Sequence, residues 1–165
     1  MQPFSVMFEN QGTDQIEYNG KIVRQSLVYE NFKQVNLTFT NVKSKSKYLQ
    51  AIVFFFEDDF DGTIRINNHE VTLAKREFPG MEFWAFTMPP KVTVSITFNK
   101  GKLRLCNGAD QTNTMKYCDA LTFGFAFYLE ELGDNEYVVH CNDFENDDDF
   151  DDLVFNMHVE CTPNE

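Results

Sequence analysis

Apolar residues at every second position limit most sharply how this chain can fold. Val35, Leu37 and Phe39 alternate with polar residues, as do Val92, Val94, Ile96 and Phe98. Phe123, Phe125, Phe127 and Leu129 keep the same period, and so do Leu153, Phe155, Met157 and Val159. Successive side chains of an extended strand point to opposite faces, so this alternation of β-branched and aromatic residues predicts half-buried strands. No window of 11 or more residues carries a helical period. Asn99-Lys100-Gly101 reads as a short hairpin loop, and Gly133-Asp134-Asn135 as another, with glycine supplying positive φ. Residues 107–116 are polar and read as a surface loop. Many short strands between polar turns predict an all-β fold, an antiparallel β-sandwich or jelly roll. No Pro/Ser-rich linker divides the 165 residues, so one domain over 1–165 is expected. The first 30 residues offer only turn signals, at Gln11-Gly12-Thr13-Asp14 and Asn19-Gly20, and a strand candidate over 21–29.

The core can be filled: 42% of residues are apolar and 18 are Phe, which argues against a disordered chain. The longest apolar run, residues 51–56, is too short to cross a bilayer, so no membrane insertion is expected. The formal charge of −12 argues against direct binding to a nucleic-acid backbone, which needs a basic face. That charge is local. Residues 57–61 carry four acids and residues 143–152 carry seven; without them, 15 acids face 14 bases.

Cys106, Cys118, Cys141 and Cys161 form no C-x-x-C pair, so no structural zinc site is expected. Disulfides and buried free thiols both fit their number. Asn36-Leu37-Thr38 has the form of a glycosylation sequon, and the opening Met1-Gln2-Pro3-Phe4 has no secretory-signal pattern. The compartment stays open.

The second acidic run is the sharpest functional feature. It places Asp143, Glu145, Asp147, Asp148, Asp149, Asp151 and Asp152 directly before an alternating strand. Like charges confined between strands call for a counter-charge, and a hard cation supplies one. Ca²⁺ takes 6–8 oxygen ligands of the kind that clustered Asp, Asn and carbonyl groups offer. Asp147, Asp149 and Asp151 stand in D-x-D-x-D order, but the glycine and final glutamate of an EF-hand loop are missing, with His158 at the twelfth position.

Phe123-Gly124-Phe125 followed by Asp143 and the run from Asp147 to Asp152 resembles two families. One is the bacterial two-calcium lectins that bind fucose and mannose. The other is a calcium-binding jelly-roll domain of bacterial surface and adhesin proteins. The motif covers roughly the last 40 residues, with a fainter likeness at Ile66-Asn67-Asn68-His69-Glu70 and over residues 91–100. The resemblance implies that Asp143, Asp147, Asp149, Asp151 and Asp152 are metal ligands for one or two Ca²⁺ ions. It also implies that sugar hydroxyls complete the coordination shell, and that the protein sits outside the cell or on its surface. Asp151 stands where both families usually carry Asn. The lectins take one ligand from a partner's chain end, which implies a homo-oligomer; here Glu165 lies 13 residues beyond Asp152.

The remaining residues have simpler readings. Residues 57–61 read as a strand end anchored by Phe54, Phe56 and Phe60, or as a loop donating a ligand to the other acidic run. The basic patch over 43–47 reads as a solvated loop. His140 and Cys141 are strand neighbours on opposite faces, so they cannot act together. His69, His140 and His158 read as ordinary strand or loop residues. Trp84, with Phe83 and Phe86, reads as core or as a stacking platform for sugar rings. Asp148 and Asp149 are paired acids along one loop, a poor arrangement for glycoside hydrolysis across a cleft. No nucleophile or phosphate-loop motif occurs, and no enzyme is expected. The reading is a calcium-binding β-sandwich recognition module that binds carbohydrate through its metal. Its rivals are a calcium-stabilised adhesin or assembly domain, and a metal-free acidic protein that engages a basic partner as a nucleic-acid mimic or chaperone. For the last, Met81-Glu82-Phe83-Trp84 resembles a signature of nucleoplasmin-type histone chaperones.

Overall fold

The computed structural model describes residues 2–73, 79–145, 147 and 149–164. Among them are one helix, α1 (Phe4–Gln11), and twelve strands. The strands are β1 (Gln15–Tyr18), β2 (Lys21–Arg24), β3 (Leu27–Tyr29), β4 (Phe32–Ser44), β5 (Leu49–Ile66) and β6 (His69–Val71). They continue with β7 (Gly80–Trp84), β8 (Lys91–Asp110), β9 (Asp119–Ala120), β10 (Ala126–Gly133), β11 (Glu136–Asn142) and β12 (Leu153–Pro163). The strands form one antiparallel sheet in the order β1-β2-β10-β11-β12-β4-β8-β5-β6, with β3 and β9 on β8 and β7 on β5.

The sheet becomes a sandwich because β5 and β8 are long and change neighbours halfway. The first half of β8 pairs with β4, from Thr40↔Lys91 to Gln34↔Thr97, and the second half pairs with β3 and the start of β5. Between the halves the β5–β8 register slips, from Glu57↔Lys102 to Asp61↔Lys100 and then Gly62↔Phe98. Asp58 and Asp59 take positive φ there, and Gly101 has φ +90°. A Cβ on Gly101 would lie 2.5 Å from Phe60 Cα, so only glycine fits. Residues 99–101 are therefore no hairpin loop; two strands run side by side through a bulged corner. Asn-Lys-Gly suits either geometry, and the unbroken pairing of β5 with β8 decides.

Folding at this corner lays the start of β5 and the end of β8 over β4, β11 and β12. The Phe39 ring meets Phe54 at 6.0 Å and Phe155 at 5.6 Å, which joins the two layers. The alternating runs point inward: Val35, Leu37, Phe39, Val92, Val94, Ile96, Leu153, Phe155, Met157 and Val159 are all buried in one core. The all-β antiparallel sandwich follows.

A smaller core holds the N-terminal segment. Phe4 and Phe8 of α1 pack with Ile16, Val23, Ala126 and Phe150. Asn19 and Gly20, with φ 49° and 77°, turn β1 into β2 as a tight hairpin. The strand candidate over 21–29 is two strands, β2 and β3. The hairpin at 133–135 forms, with Gly133 opposite Glu136 and φ 60° at Asn135. Two other expectations are corrected. β8 runs on to Asp110, burying Asn107 and Ala109, so the surface loop starts four residues later than the polar composition suggested. Phe123 takes φ 48° and lies outside the strand, which begins at Ala126. All four cysteines are free thiols, with Cys106 and Cys141 buried. Burial pushes the Cys118 thiol up to about 12.

Candidate metal centre

Strands β11 and β12 are neighbours, with Cys141 opposite Leu153, so the acidic residues 143–152 must close a loop over the end of the sheet. Its two ends are pinched together. The Asp152 N–H donates to the Cys141 carbonyl at 3.2 Å, and the Asp143 N–H donates to Asp152 Oδ2 at 2.8 Å. Two aromatic rings fix the loop between these ends. Phe150 is buried and stands 5.5 Å from the Phe4 ring and 5.3 Å from the Tyr128 ring. Its φ of 49° is unfavourable for a bulky residue, and its burial in the small core offsets that cost. Phe144 packs on Tyr48, Phe123 and Phe125, at 5.2, 5.4 and 4.8 Å.

With the loop so held, Asp147, Asp149 and Asp152 each present a carboxylate oxygen within 4.8 Å of the others. Asp147 and Asp149 are exposed, whereas Asp152 is buried. Burial pushes the Asp152 carboxyl up to about 7; repulsion from Asp143 and Asp147 adds to this, against the opposing bond from the Asp143 N–H. Asp149 is raised in the same sense, by desolvation first and then by its contact with Asp147. Opposite oxygens around one Ca²⁺, each at 2.3–2.6 Å, stand roughly 5 Å apart. Three carboxylates with two raised pKa values and one such spacing fit a hard cation, which would relieve their mutual repulsion.

The other two expected ligands are engaged differently. Asp143 is buried, and its Oδ2 accepts bonds from Ser46 Oγ at 2.5 Å and Gln50 Nε2 at 3.1 Å. It thus backs Asp152 through its main chain while its carboxylate faces the start of β5. Asp151 lies beside Asp149 and has its own counter-charge, Lys45 Nζ at 3.6 Å. Asp148, within the same run, and Glu165, the chain end, lie outside the described residues.

Sequence reasoning missed Lys45, Ser46, Lys47 and Gln50. They reach the loop because β4 pairs with β12, with Ser44 opposite Leu153, so the segment after β4 runs beside residues 143–152. Lys47 Nζ lies 3.8 Å from Glu145 Oε1. The basic patch over 43–47 was the available signal: a run of three lysines in five residues faces the densest anionic run of the chain.

Residues 57–61 do not join this loop. Glu57 lies seven residues along β5 from Gln50, roughly 23 Å at strand rise. Its carboxylate accepts both bonds from Arg104 Nε, at 3.1 and 3.0 Å, while Arg104 Nη1 donates to Ser26 Oγ at 2.6 Å. His140 stacks on Tyr128 at 4.6 Å with Cys141 on the opposite, buried face. Phe83 packs into the core against Phe54 at 5.2 Å, and Trp84 packs beside Ala51 and Val53; only Phe86 of that aromatic group is well exposed.

No family model, curated protein or solved structure matches this chain.

Proposed function

We propose that this protein is a calcium-binding β-sandwich recognition module, with one Ca²⁺ held by Asp147, Asp149 and Asp152 at the end of the sandwich. The observation that carries the reading is the group of three carboxylate oxygens within 4.8 Å, one of them on a buried aspartate. Asp143 acts behind this set as a positioning residue, since its N–H orients Asp152 and its carboxylate is oriented by Ser46 and Gln50. A second ion would have to draw Asp143 or Asp151 away from these partners. On the outer side Asp147 and Asp149 are exposed, so an ion there would keep bound water. Vicinal sugar hydroxyls can replace such water, hard oxygen for hard oxygen, and the resemblance of the motif to two-calcium lectins makes carbohydrate the proposed ligand.

Calorimetric titration of chelator-treated protein with CaCl2 tests the metal. The double variant Asp149→Asn with Asp152→Asn should lose more than about 100-fold in affinity, beyond the 10–100-fold typical of an outer-shell change. Undiminished affinity would assign the ion to other ligands. A second reading, in which calcium only rigidifies an adhesin-like or assembly domain, draws on the inward-facing bonds of Asp143. A glycan panel read with calcium and with chelator separates the two: calcium-dependent capture supports recognition, and uniform silence supports the scaffold.

A further inference from the structure

Alongside the acidic loop runs a second loop, residues 121–124, that carries an exposed ring in an unfavourable conformation. The Phe125 N–H donates to the Thr122 carbonyl at 3.0 Å, which closes a tight turn with Phe123 and Gly124 at its centre. Phe123 takes φ 48° there, a conformation that favours glycine and is costly for a bulky side chain. Gly124, the next residue, has no positive φ, so the glycine stands one position away from the strain. The surroundings enforce this. Four successive carbonyls are held: Leu121 by Gln25 Nε2 at 2.9 Å, Thr122 by Phe125, Phe123 by the Ser5 N–H at 2.9 Å, and Gly124 by Asn142 Nδ2 at 2.9 Å. Burial offsets the same strain at Phe150, but Phe123 stays 48% exposed. The core does not call for its ring, since the buried Phe125 already meets Phe144 at 4.8 Å. Phe123 rests on Phe144 at 5.4 Å, and Phe144 follows Asp143, whose N–H holds Asp152. A strained, exposed ring is thus fixed on the flank of the candidate metal centre, where strain of this kind marks function.

We propose that Phe123 is a stacking residue for carbohydrate: a pyranose lays its apolar face on the exposed phenyl ring while hydroxyls of the same saccharide reach the calcium ion. This rests on the calcium-dependent carbohydrate binding proposed above and adds the residue that selects among saccharides. A metal ion reads only a pair of oxygens, which many sugars share, whereas an aromatic face accepts only those whose C–H groups form a continuous apolar side. A sugar pairs such a side with polar edges, and the surface does the same. Thr122 beside the ring is exposed, and Lys47 and Glu145, across Phe144 and Tyr48, are exposed as well.

The test is a printed panel of mannosides, fucosides, galactosides, glucosides and sialosides, probed with the full chain in millimolar CaCl2. Phe123→Asn removes the ring and keeps a residue that tolerates positive φ. The glycan that the wild-type chain binds best should bind this variant about tenfold more weakly. Its calcium affinity in calorimetry should stay unchanged, and its unfolding midpoint should fall by less than about 4 °C. Phe123→Tyr, which keeps the ring, should bind as the wild-type chain does. Undiminished glycan binding by Phe123→Asn would overturn this proposal and leave the carbohydrate reading standing; a panel silent for the wild-type chain would overturn both. Loss of calcium affinity in Phe123→Asn, or a larger fall in its midpoint, would make the ring a prop of the loop and overturn the proposal too.

Discussion

Two aspartates in this protein are displaced in opposite directions, and each sets a different response to pH. Asp110 is buried at the end of β8. Burial alone would raise its pKa, but bonds from the Thr112 hydroxyl and N–H and from the Thr114 and Tyr117 N–H groups outweigh it and hold the carboxyl well below the usual range. Asp110 Oδ1 accepts from Thr112 N at 2.8 Å and Oδ2 from Thr114 N at 3.1 Å, so the carboxylate organises the loop after β8. Its stabilising effect is present above the unfolded pKa of about 4 and is lost as pH falls. Asp110→Ala should cost about 2 kcal/mol in urea unfolding at neutral pH. Asp152 behaves in reverse. With its folded pKa raised to about 7, the native state binds the proton more tightly than the unfolded chain. Metal-free protein should therefore lose stability as pH rises from about 4 through 7. Unfolding midpoints in chelator across that window check this, and Asp152→Asn should flatten the slope. A metal-free protein that gains stability over the same range would contradict the burial of this charge.

At the scale of elements, two aromatic contacts hold the acidic loop alongside the carboxylate bonds that pinch its ends. Phe150 anchors it in the core formed with α1, and Phe144 anchors it beside Tyr48. Phe150→Ala should cost about 3 kcal/mol, the lower end for a buried phenylalanine, and should also weaken calcium affinity measured by titration. Full affinity in that variant would mean the loop needs no anchor. The sequence pattern revealed the strands that alternate between core and solvent, β4 and β12 most clearly, because one buried face forces period two. It did not reveal α1, eight residues long, whose burial rests on Phe4 and Phe8 alone. It also misjudged residues 99–101, since a glycine at positive φ serves a bulged corner as well as a turn. For the site, the acids announced themselves by density. Ser46, Gln50 and Phe150 did not, because their part depends on the β4–β12 register and on a small core assembled from both ends of the chain.

For the molecule as a whole, the charge of −12 separates into parts with different partners. Glu57 in the corner is neutralised from within by Arg104 and Lys102. The larger acidic run takes only partial compensation, from Lys45 and Lys47, and leaves Asp147, Asp149 and Asp152 facing one another. One bound Ca²⁺ would bring the formal charge from −12 to −10 and would favour the native state, in which the paired β11 and β12 hold the ends of the loop that presents the three carboxylates together. A ligand at 100 times its Kd stabilises by about 2.7 kcal/mol, or roughly 5–10 °C for a domain of this size. The most direct measurement is the thermal unfolding midpoint of the full chain in millimolar CaCl2 against the same protein in chelator. The account predicts a rise of several degrees with calcium, absent in the Asp149→Asn, Asp152→Asn variant; equal midpoints for the wild-type chain in the two conditions would contradict it.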